Sequence, residues 1–118
     1  MTDNNKTKYD DLINNNLEEI ERVPISPIWG FYDVLDIEVK EPIPGESIPQ
    51  GSHWCLFQPH VPMNNIGEDG HPKRGKFMPN PPDLPRRMFA GSRILFSNDI
   101  KIGDTVKRQQ IIKSITEK

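Results

Sequence analysis

The stretch that decides the fold runs from residue 67 to residue 104 and reads GEDGHPKRGKFMPNPPDLPRRMFAGSRILFSNDIKIGD. It begins as a loop punctuated by glycine and proline and dense in Lys and Arg. It ends as an apolar segment closed by a tight turn at Ile102-Gly103-Asp104. The pattern predicts a long irregular loop over residues 59–85, a strand over residues 87–96, a turn at residues 100–104 and a final strand over residues 105–115.

Upstream of this stretch the apolar spacing predicts two helices. After a polar segment over residues 1–8, which we expect to be frayed, apolar residues recur every three or four positions from Tyr9 to Ile20. This spacing is typical of an amphipathic helix, although Asn14-Asn15-Asn16 has poor helix propensity. Ser26-Pro27 then predicts the start of a second, more apolar helix over residues 26–36.

Between the second helix and the long loop, two further segments are predicted. Residues 38–50 hold three prolines and a glycine, a composition that permits neither a regular helix nor a central strand, so an extended connector is expected. Residues 53–57 read HWCLF, an aromatic and apolar run typical of a buried strand.

Composition and charge describe a small soluble protein. The 118 residues carry a net charge of −2. The charge is asymmetric, because residues 1–50 hold eleven acidic and four basic residues whereas residues 51–118 hold six acidic and eleven basic residues. Anionic partners are therefore expected at the second half. The single cysteine, Cys55, fits a reducing compartment, and no apolar run approaches the length of a membrane span, so we expect a cytoplasmic protein with no membrane contact.

Few residues fit a catalytic or metal-binding pattern. Three scattered histidines and one cysteine do not make a zinc site, so no metal and no cofactor are predicted. Cys55 lies in an apolar context that blunts thiolate chemistry. Asp69 and His71 could form an acid–base pair, but an exposed Asp-Gly-His-Pro turn explains both residues without a function.

The basic cluster is more informative. Lys73, Arg74, Lys76, Arg86 and Arg87 place five cations within fifteen residues. Such clusters commonly bind phosphate, either of nucleic acid or of a phosphorylated carrier such as coenzyme A. Aromatic residues interleaved with the cations and a recognition-helix pattern are both absent, which argues against nucleic acid and favours either the small carrier or no ligand at all.

Three strings together suggest a family. They are HWCLF at residues 53–57, GEDGHPKRG at residues 67–75 and LPRRMFAGSR at residues 84–93. The chain resembles the N-terminal hotdog domain of the MaoC-like acyl-thioester dehydratases, in the branch of the mesaconyl-C4-CoA hydratases and the mitochondrial type 2 hydroxyacyl-thioester dehydratases. The turn IKIGDTV at residues 100–106 is similar to a strand-turn-strand signature of hotdog domains.

The resemblance implies an α+β hotdog fold, in which an antiparallel sheet wraps a central helix, here residues 26–36. Residues 1–25 would be a tail with an amphipathic helix, and residues 26–118 a partial hotdog domain. Family members continue beyond the position of Lys118, so the resemblance implies an incomplete hotdog half.

The resemblance also implies a hydro-lyase that acts on an acyl-CoA or acyl-carrier thioester. In this family the catalytic Asp and His lie in a second hotdog half, within a motif similar to G-D-x-N-P-x-H. Here Gly103-Asp104 continues as Thr-Val-Lys, and Asn80-Pro81 continues as Pro-Asp. No catalytic residue is therefore expected on this chain, and a second hotdog domain or subunit would supply them.

Residue type and position predict how this half would contribute to the substrate site. We expect an apolar pocket wall and a cationic contact, made by Trp54, Phe57, Phe77, Met78 and Met88, and by Arg86 and Arg87, respectively. Ordinary core packing of the apolar residues and ion pairing of the two arginines are the alternatives. A non-enzymatic binding or assembly module, or a truncated remnant of a hotdog protein, is the alternative function.

Overall fold

The structure is a computed structural model that describes residues 8–118, so the segment expected to be frayed lies outside it except for Lys8. The chain forms two compact units. The loop unit comprises residues 8–18, Pro59–Phe89 and Gln109–Lys118, and the helix unit comprises Glu19–Gln58 and Ala90–Arg108. The regular elements are strand β1 (Asn16–Arg22), helix α1 (Ile25–Val34), strand β2 (Thr105–Ile111) and three short 3-10 turns at Asp10–Leu12, Ser52–Cys55 and Met63–Asn65.

The two strands form an antiparallel sheet. Just before β1, the Asn14 N–H donates to the carbonyl of Ile112, which directly follows β2, at 2.7 Å. At the end of β1, the Val23 N–H donates to the carbonyl of Asp104 at 2.9 Å. Early residues of one strand thus meet late residues of the other, which is the antiparallel arrangement. Residues 8–118 hold one helix and this sheet, so the predicted α+β class is confirmed.

Helix α1 confirms the helix predicted over residues 26–36, with slightly different bounds. It begins at Ile25, because Pro24 is extended with φ −87° and ψ 157° and cannot join the helix. Pro27 lies within the first turn, where its missing N–H would have no intrahelical partner. Ser26 is therefore inside the helix and does not cap it.

The end of α1 forms a left-handed cap. The Ile37 N–H donates to the Tyr32 carbonyl at 3.0 Å, and the Asp36 N–H donates to the Asp33 carbonyl at 3.1 Å. Asp36 has a φ of +58°. This is a Schellman motif, in which the residue after the cap turns left-handed and satisfies the last carbonyls of the helix.

The core lies in the helix unit. Ile28 of α1 is completely buried, and it packs in a cluster with Val23, Ile48, Leu56 and Ile102. The predicted turn at residues 100–104 supplies Ile102 to this core and reverses the chain at Gly103, whose φ is +86°. A left-handed residue is needed there, and glycine adopts it without steric cost. The turn therefore delivers both a core residue and the start of β2.

The final strand is confirmed, but it is shorter than predicted. Strand β2 ends at Ile111 and does not continue to residue 115. Val106 is half-buried and Ile112, directly after the strand, is 8% exposed. Ile111 points the other way and is 40% exposed. Because successive side chains of a strand point to opposite faces, only some of the predicted apolar residues of β2 point toward the core.

The predicted amphipathic helix from Tyr9 to Ile20 is wrong. The chain makes only the 3-10 turn Asp10–Leu12 and then enters β1. Asn14 breaks any helix with a φ of +65°. In the strand, Leu17 and Ile20 fall on opposite faces, and Ile20 is 71% exposed. The helical spacing was coincidental, because strand pairing with β2 satisfies the backbone here.

The buried strand predicted over residues 53–57 is also wrong. The 3-10 turn Ser52–Cys55 takes its place, after a left-handed Gly51 with a φ of +96°. Ser52 is fully buried and its hydroxyl donates to the carbonyl of Pro49. These local bonds fold the backbone back on itself, so no ladder forms. The turn packs against α1.

The strand predicted over residues 87–96 is not formed. The segment is without regular structure and every one of its residues is exposed. Alternation alone cannot make a strand, since a strand needs a neighbour to accept its hydrogen bonds, and among the described residues none is paired with this segment. The extended connector over residues 38–50 is confirmed as irregular, with one bridge between Ser47 and Lys101.

Candidate functional site

The charged functional candidates lie in the Gly/Pro-rich loop of the loop unit, which contains a tight turn at residues 67–71. The Gly70 N–H donates to the Gly67 carbonyl at 3.0 Å, and the Gly67 N–H donates to the His71 carbonyl at 2.7 Å. Gly70 is left-handed with a φ of +80°, as such a turn requires. The predicted Asp-Gly-His-Pro turn therefore exists, and it fixes the positions of the charged side chains around it.

The Asp69 carboxylate makes several of the contacts that hold this turn. Its Oδ1 accepts the His71 N–H at 3.0 Å, and its Oδ2 lies 3.3 Å from both His71 Nδ1 and Arg87 Nη2. The His71 backbone N–H, and then the Arg87 guanidinium, hold the pKa of Asp69 below its ordinary value. The carboxylate is thus ionised and anchors Arg87, which also donates to the carbonyl of Pro72 at 3.2 Å.

Asp69 and His71 are both exposed, with 43% and 64% of their side chains accessible to solvent. Their contact belongs to the turn that also holds Arg87. The structure accordingly favours the turn interpretation of these two residues over a dedicated acid–base pair.

Arg74 is held differently from Arg87. Its Nη1 donates to the Leu84 carbonyl at 3.1 Å, and its Nη2 donates to the Pro85 carbonyl at 3.2 Å. Both acceptors are neutral, so the guanidinium is fixed in place without losing its charge to a carboxylate. The positive charge of Arg74 therefore remains available to bind an anion.

A groove of about 710 Å³ lies within the loop unit between these groups. A groove of this volume falls in the range of ligand sites. Charged and rigid residues dominate its lining, which consists of Gly67, Glu68, Asp69, Pro72, Lys73, Arg74, Asn80, Pro81, Pro82, Pro85 and Arg87.

Two of the predicted wall residues lie in the helix unit. Trp54 is 67% exposed, and its ring lies 5.3 Å from that of His53. Phe57 is half-buried and left-handed with a φ of +58°. Its N–H donates to Glu21, and the Arg108 guanidinium lies 4.8 Å from the centre of its ring.

The other predicted site residues lie in the loop unit. Phe77 is half-buried, and its carbonyl accepts a hydrogen bond from Asn15 Nδ2 at 3.2 Å. Met78 and Met88 are 58% and 91% exposed. Arg86 is exposed and, within residues 8–118, its side chain has no ion pair. Arg87 is the one predicted site residue that lines the groove.

A second polar cluster was missed by the sequence reasoning. On β1, Glu19 pairs with Arg108 of β2, and Glu21 accepts the N–H of Phe57. Arg108 Nε is shielded from solvent and has no hydrogen-bond partner in the described chain. Acidic residues at every second position, Glu19 and Glu21, are the signal that could have indicated a strand here.

Within residues 8–118, no three His, Cys, Asp or Glu side chains come together in a way that could hold a metal ion. In the same part of the chain, no helix has the length and apolarity that a bilayer crossing requires.

Comparison with known proteins decides the family. Residues 51–118 match the family described as hydroxyacyl-thioester dehydratase type 2. This match covers more than half of the chain, including the groove and the turn before β2. The chain belongs to this dehydratase family.

A curated relative supports the same assignment. The chain is 43% identical over 77 residues to the mesaconyl-C(4)-CoA hydratase of Chloroflexus aurantiacus. The aligned segment is 65% of this chain and 27% of the relative, so the chain corresponds to about a quarter of the relative's length. The family confirms the resemblance inferred from the three strings, and the one helix and antiparallel sheet are consistent with part of a hotdog fold.

Proposed function

We propose that this chain is the N-terminal, non-catalytic half of an acyl-thioester hydratase or dehydratase of the mesaconyl-CoA hydratase type. The observation that carries the proposal is the 43% identity to the Chloroflexus enzyme, taken together with the lack of a G-D-x-N-P-x-H motif in this sequence. Residues 26–118 would form the partial hotdog domain. A second hotdog domain or subunit would complete the enzyme.

The chemistry needs a general acid and a general base across the bound thioester. A proton leaves or joins the α-carbon while hydroxide joins or leaves the β-carbon. The partner supplies these groups, and this chain supplies the wall of the substrate pocket. The exposure of Trp54, Met78 and Met88 supports this role, because large apolar side chains at a surface mark places that a bound substrate or partner covers.

Arg86 and Arg87 provide the cationic contact in this proposal. Arg86 has a free guanidinium within the described residues, whereas Arg87 is held by Asp69 in a defined position. Acyl-CoA binding to the full assembly, with each arginine changed to Ala, tests the contact. Weaker binding is expected, and unchanged affinity for both variants would remove the arginines from the proposal.

The half-enzyme proposal is tested by hydration of a short enoyl-CoA. The assay is run with this chain alone and with a hotdog partner that carries the Asp and His motif. We expect activity only with the partner. Robust hydration by this chain alone would contradict the proposal, because its catalytic groups would then lie on this chain.

A binding or assembly module is the second candidate function. It is favoured by the exposed apolar segment that follows Arg87, where Met88, Phe89 and Leu95 are all more than 80% exposed. If the catalytic partner does not join this chain in an active complex, the assembly role is the one that remains. The compartment proposed for either role is the cytoplasm, supported by the single unpaired Cys55.

A further inference from the structure

The loop that surrounds the groove carries positive charge that the protein itself does not neutralise. It holds five cations, and among residues 8–118 only Arg87 has a carboxylate partner. Lys73 and Arg74 both line the groove, and within residues 8–118 neither forms an ion pair. An anion that enters the groove therefore meets charges that are still available.

Hydrogen bonds within the protein hold the residues of the groove in place without a ligand. The bonds from Arg74 to the Leu84 and Pro85 carbonyls fix its guanidinium. The Lys73 N–H donates to the Asn65 carbonyl at 2.8 Å, which fixes the backbone that carries the ammonium. Prolines at positions 72, 81, 82 and 85 stiffen the walls. Preorganised cations bind with a smaller loss of conformational entropy than mobile ones do.

The composition of the groove lining also indicates which kind of anion it can bind. None of the lining residues is aromatic, so the groove offers no platform for the stacked bases of a single-stranded nucleic acid. Glu68 and Asp69 lie in the same lining as the cations. Acidic residues there disfavour a long polyanion, whereas a compact phosphoryl group needs only one or two cationic partners, for which Lys73 and Arg74 are the candidates.

We propose that this groove binds the phosphoryl groups carried at the end of the pantetheine arm of the thioester substrate, with Lys73 and Arg74 as the contacting residues. The inference rests on the proposed function, and it names the part of the substrate that this chain recognises. The phosphoryl groups belong either to the nucleotide of coenzyme A or to the phosphopantetheine of a carrier protein. The chemistry at the groove is the same in both cases.

The test measures binding of coenzyme A, 4′-phosphopantetheine and unphosphorylated pantetheine to the full chain by titration calorimetry. Lys73→Gln is the principal variant, because it removes the ammonium and leaves the anchors of Arg74 in place. We expect Lys73→Gln to weaken coenzyme A binding about tenfold, the effect of one charge-assisted hydrogen bond, and to leave pantetheine binding unchanged. Arg74→Lys should also weaken coenzyme A binding, because Lys lacks the second nitrogen that makes the guanidinium fork.

Two control variants separate a site from a general charge effect. Lys76→Gln removes a cation of the same loop that lies outside the groove lining, and it should leave the coenzyme A affinity unchanged. Glu68→Gln removes a negative charge from the lining and should tighten coenzyme A binding several-fold. Loss of a merely structural residue would not produce an increase in affinity.

The outcomes distinguish the ligand and the two proposals. A preference for coenzyme A over 4′-phosphopantetheine that Lys73→Gln abolishes identifies the nucleotide phosphates, and equal binding of the two identifies the pantetheine phosphate. An equal loss in Lys73→Gln and Lys76→Gln, or affinity that grows with the length of an oligonucleotide, would overturn the groove proposal. Unchanged coenzyme A binding in the groove variants, with hydration of a pantetheine thioester intact in the partnered enzyme, would overturn the groove and leave the proposed function standing. Failure of the partnered enzyme to hydrate any thioester would instead overturn the proposed function.

Discussion

Asp69 combines two roles in one carboxylate, because it closes its own turn through the His71 N–H and holds Arg87 at the groove. Both partners favour the ionised form, so the pKa of Asp69 is depressed in the folded protein. A carboxylate with a depressed pKa contributes stability that is present above its unfolded pKa, near 3.9 for Asp. That contribution is lost as the pH falls through the lower, folded value.

The first prediction follows from the direction of this pKa shift. In a pH titration followed by NMR, the amide resonances of His71 should shift with a midpoint below the ordinary pKa of Asp, and the turn should loosen only beneath that midpoint. In the Asp69→Asn variant this titration should be absent, since the amide cannot be charged. A midpoint at or above the ordinary Asp pKa would show that neither His71 nor Arg87 favours the carboxylate.

Residue-scale prediction from the sequence succeeded where chemistry is local. The DGHP turn could be predicted because Asp, Gly and Pro specify the backbone by themselves. The partners of Arg74 and Arg87 could not be predicted, since they lie ten to eighteen residues away along a loop with no periodicity. The cations were found by composition, and their division into one paired and one carbonyl-anchored arginine required the structure.

Helix α1 contains an unfavourable conformation at its end. Asp36 adopts a φ of +58° to complete the Schellman cap, and a side chain in the left-handed region costs about 1 kcal/mol. Asp36→Gly should therefore raise the free energy of unfolding by roughly 1 kcal/mol, measured by urea denaturation. As the matched control, Asp33→Gly places glycine inside the same helix and should lower that free energy by about 0.3 kcal/mol, the difference in helix propensity between Asp and Gly. If both changes destabilise the chain equally, the cap is not formed in solution.

The attachment of α1 to the core gives a third prediction. Ile28 is 0% exposed, so Ile28→Ala should lower the free energy of unfolding by roughly 2–5 kcal/mol through lost burial and a residual cavity. Val34 lies on the same helix and is 81% exposed, and Val34→Ala should change stability by less than about 0.5 kcal/mol. Thermal unfolding of the two variants measures the difference. Equal effects would show that α1 does not bury Ile28.

At the scale of elements, the sequence predicts best where capping and burial agree. Helix α1 has a proline before it, a helical apolar face and a core position at Ile28, and its bounds were found within two residues. Residues 9–20 and 53–57 were misassigned because short apolar runs fit more than one period. Hydrogen bonding to distant backbone, from Asn14 to Ile112, decides residues 9–20. Local bonds from Ser52 to Pro49 decide residues 53–57, and the apolar periodicity contains neither.

At the scale of the whole molecule, many large apolar side chains among residues 8–118 are exposed to solvent. Phe89 and Leu95 are 81% and 85% exposed in a segment with no strand partner in the described chain. An extended apolar segment with free backbone groups favours association with another chain. The fold class and family were predictable from the sequence. The failure of this segment to form a strand was not, because the apolar residues of Arg93-Ile94-Leu95 favour a strand but do not show whether another strand pairs with them.

The fourth prediction concerns this surface. In sedimentation equilibrium the isolated chain should associate as its concentration rises, and Leu95→Lys should shift this association to concentrations at least several-fold higher. Met63→Lys is the control, because Met63 is 86% exposed but lies outside the segment. Monomeric behaviour of the unmodified chain across the concentration range, or equal effects of the two variants, would contradict a role for the segment.

The anchoring of Arg74 has a consequence for proteolysis. A trypsin-like protease must draw a basic side chain out of the protein and into its own pocket, and the Arg74 guanidinium is engaged by the carbonyls of Leu84 and Pro85. Brief digestion should therefore cut after Lys76 and Arg86 and spare the bond after Arg74. Residues 74–85 form a closed loop held by the Arg74 side chain. A chain nicked after Lys76 should keep its two fragments together, because β1 pairs with β2 and Ile28 packs with Ile102 across the cut.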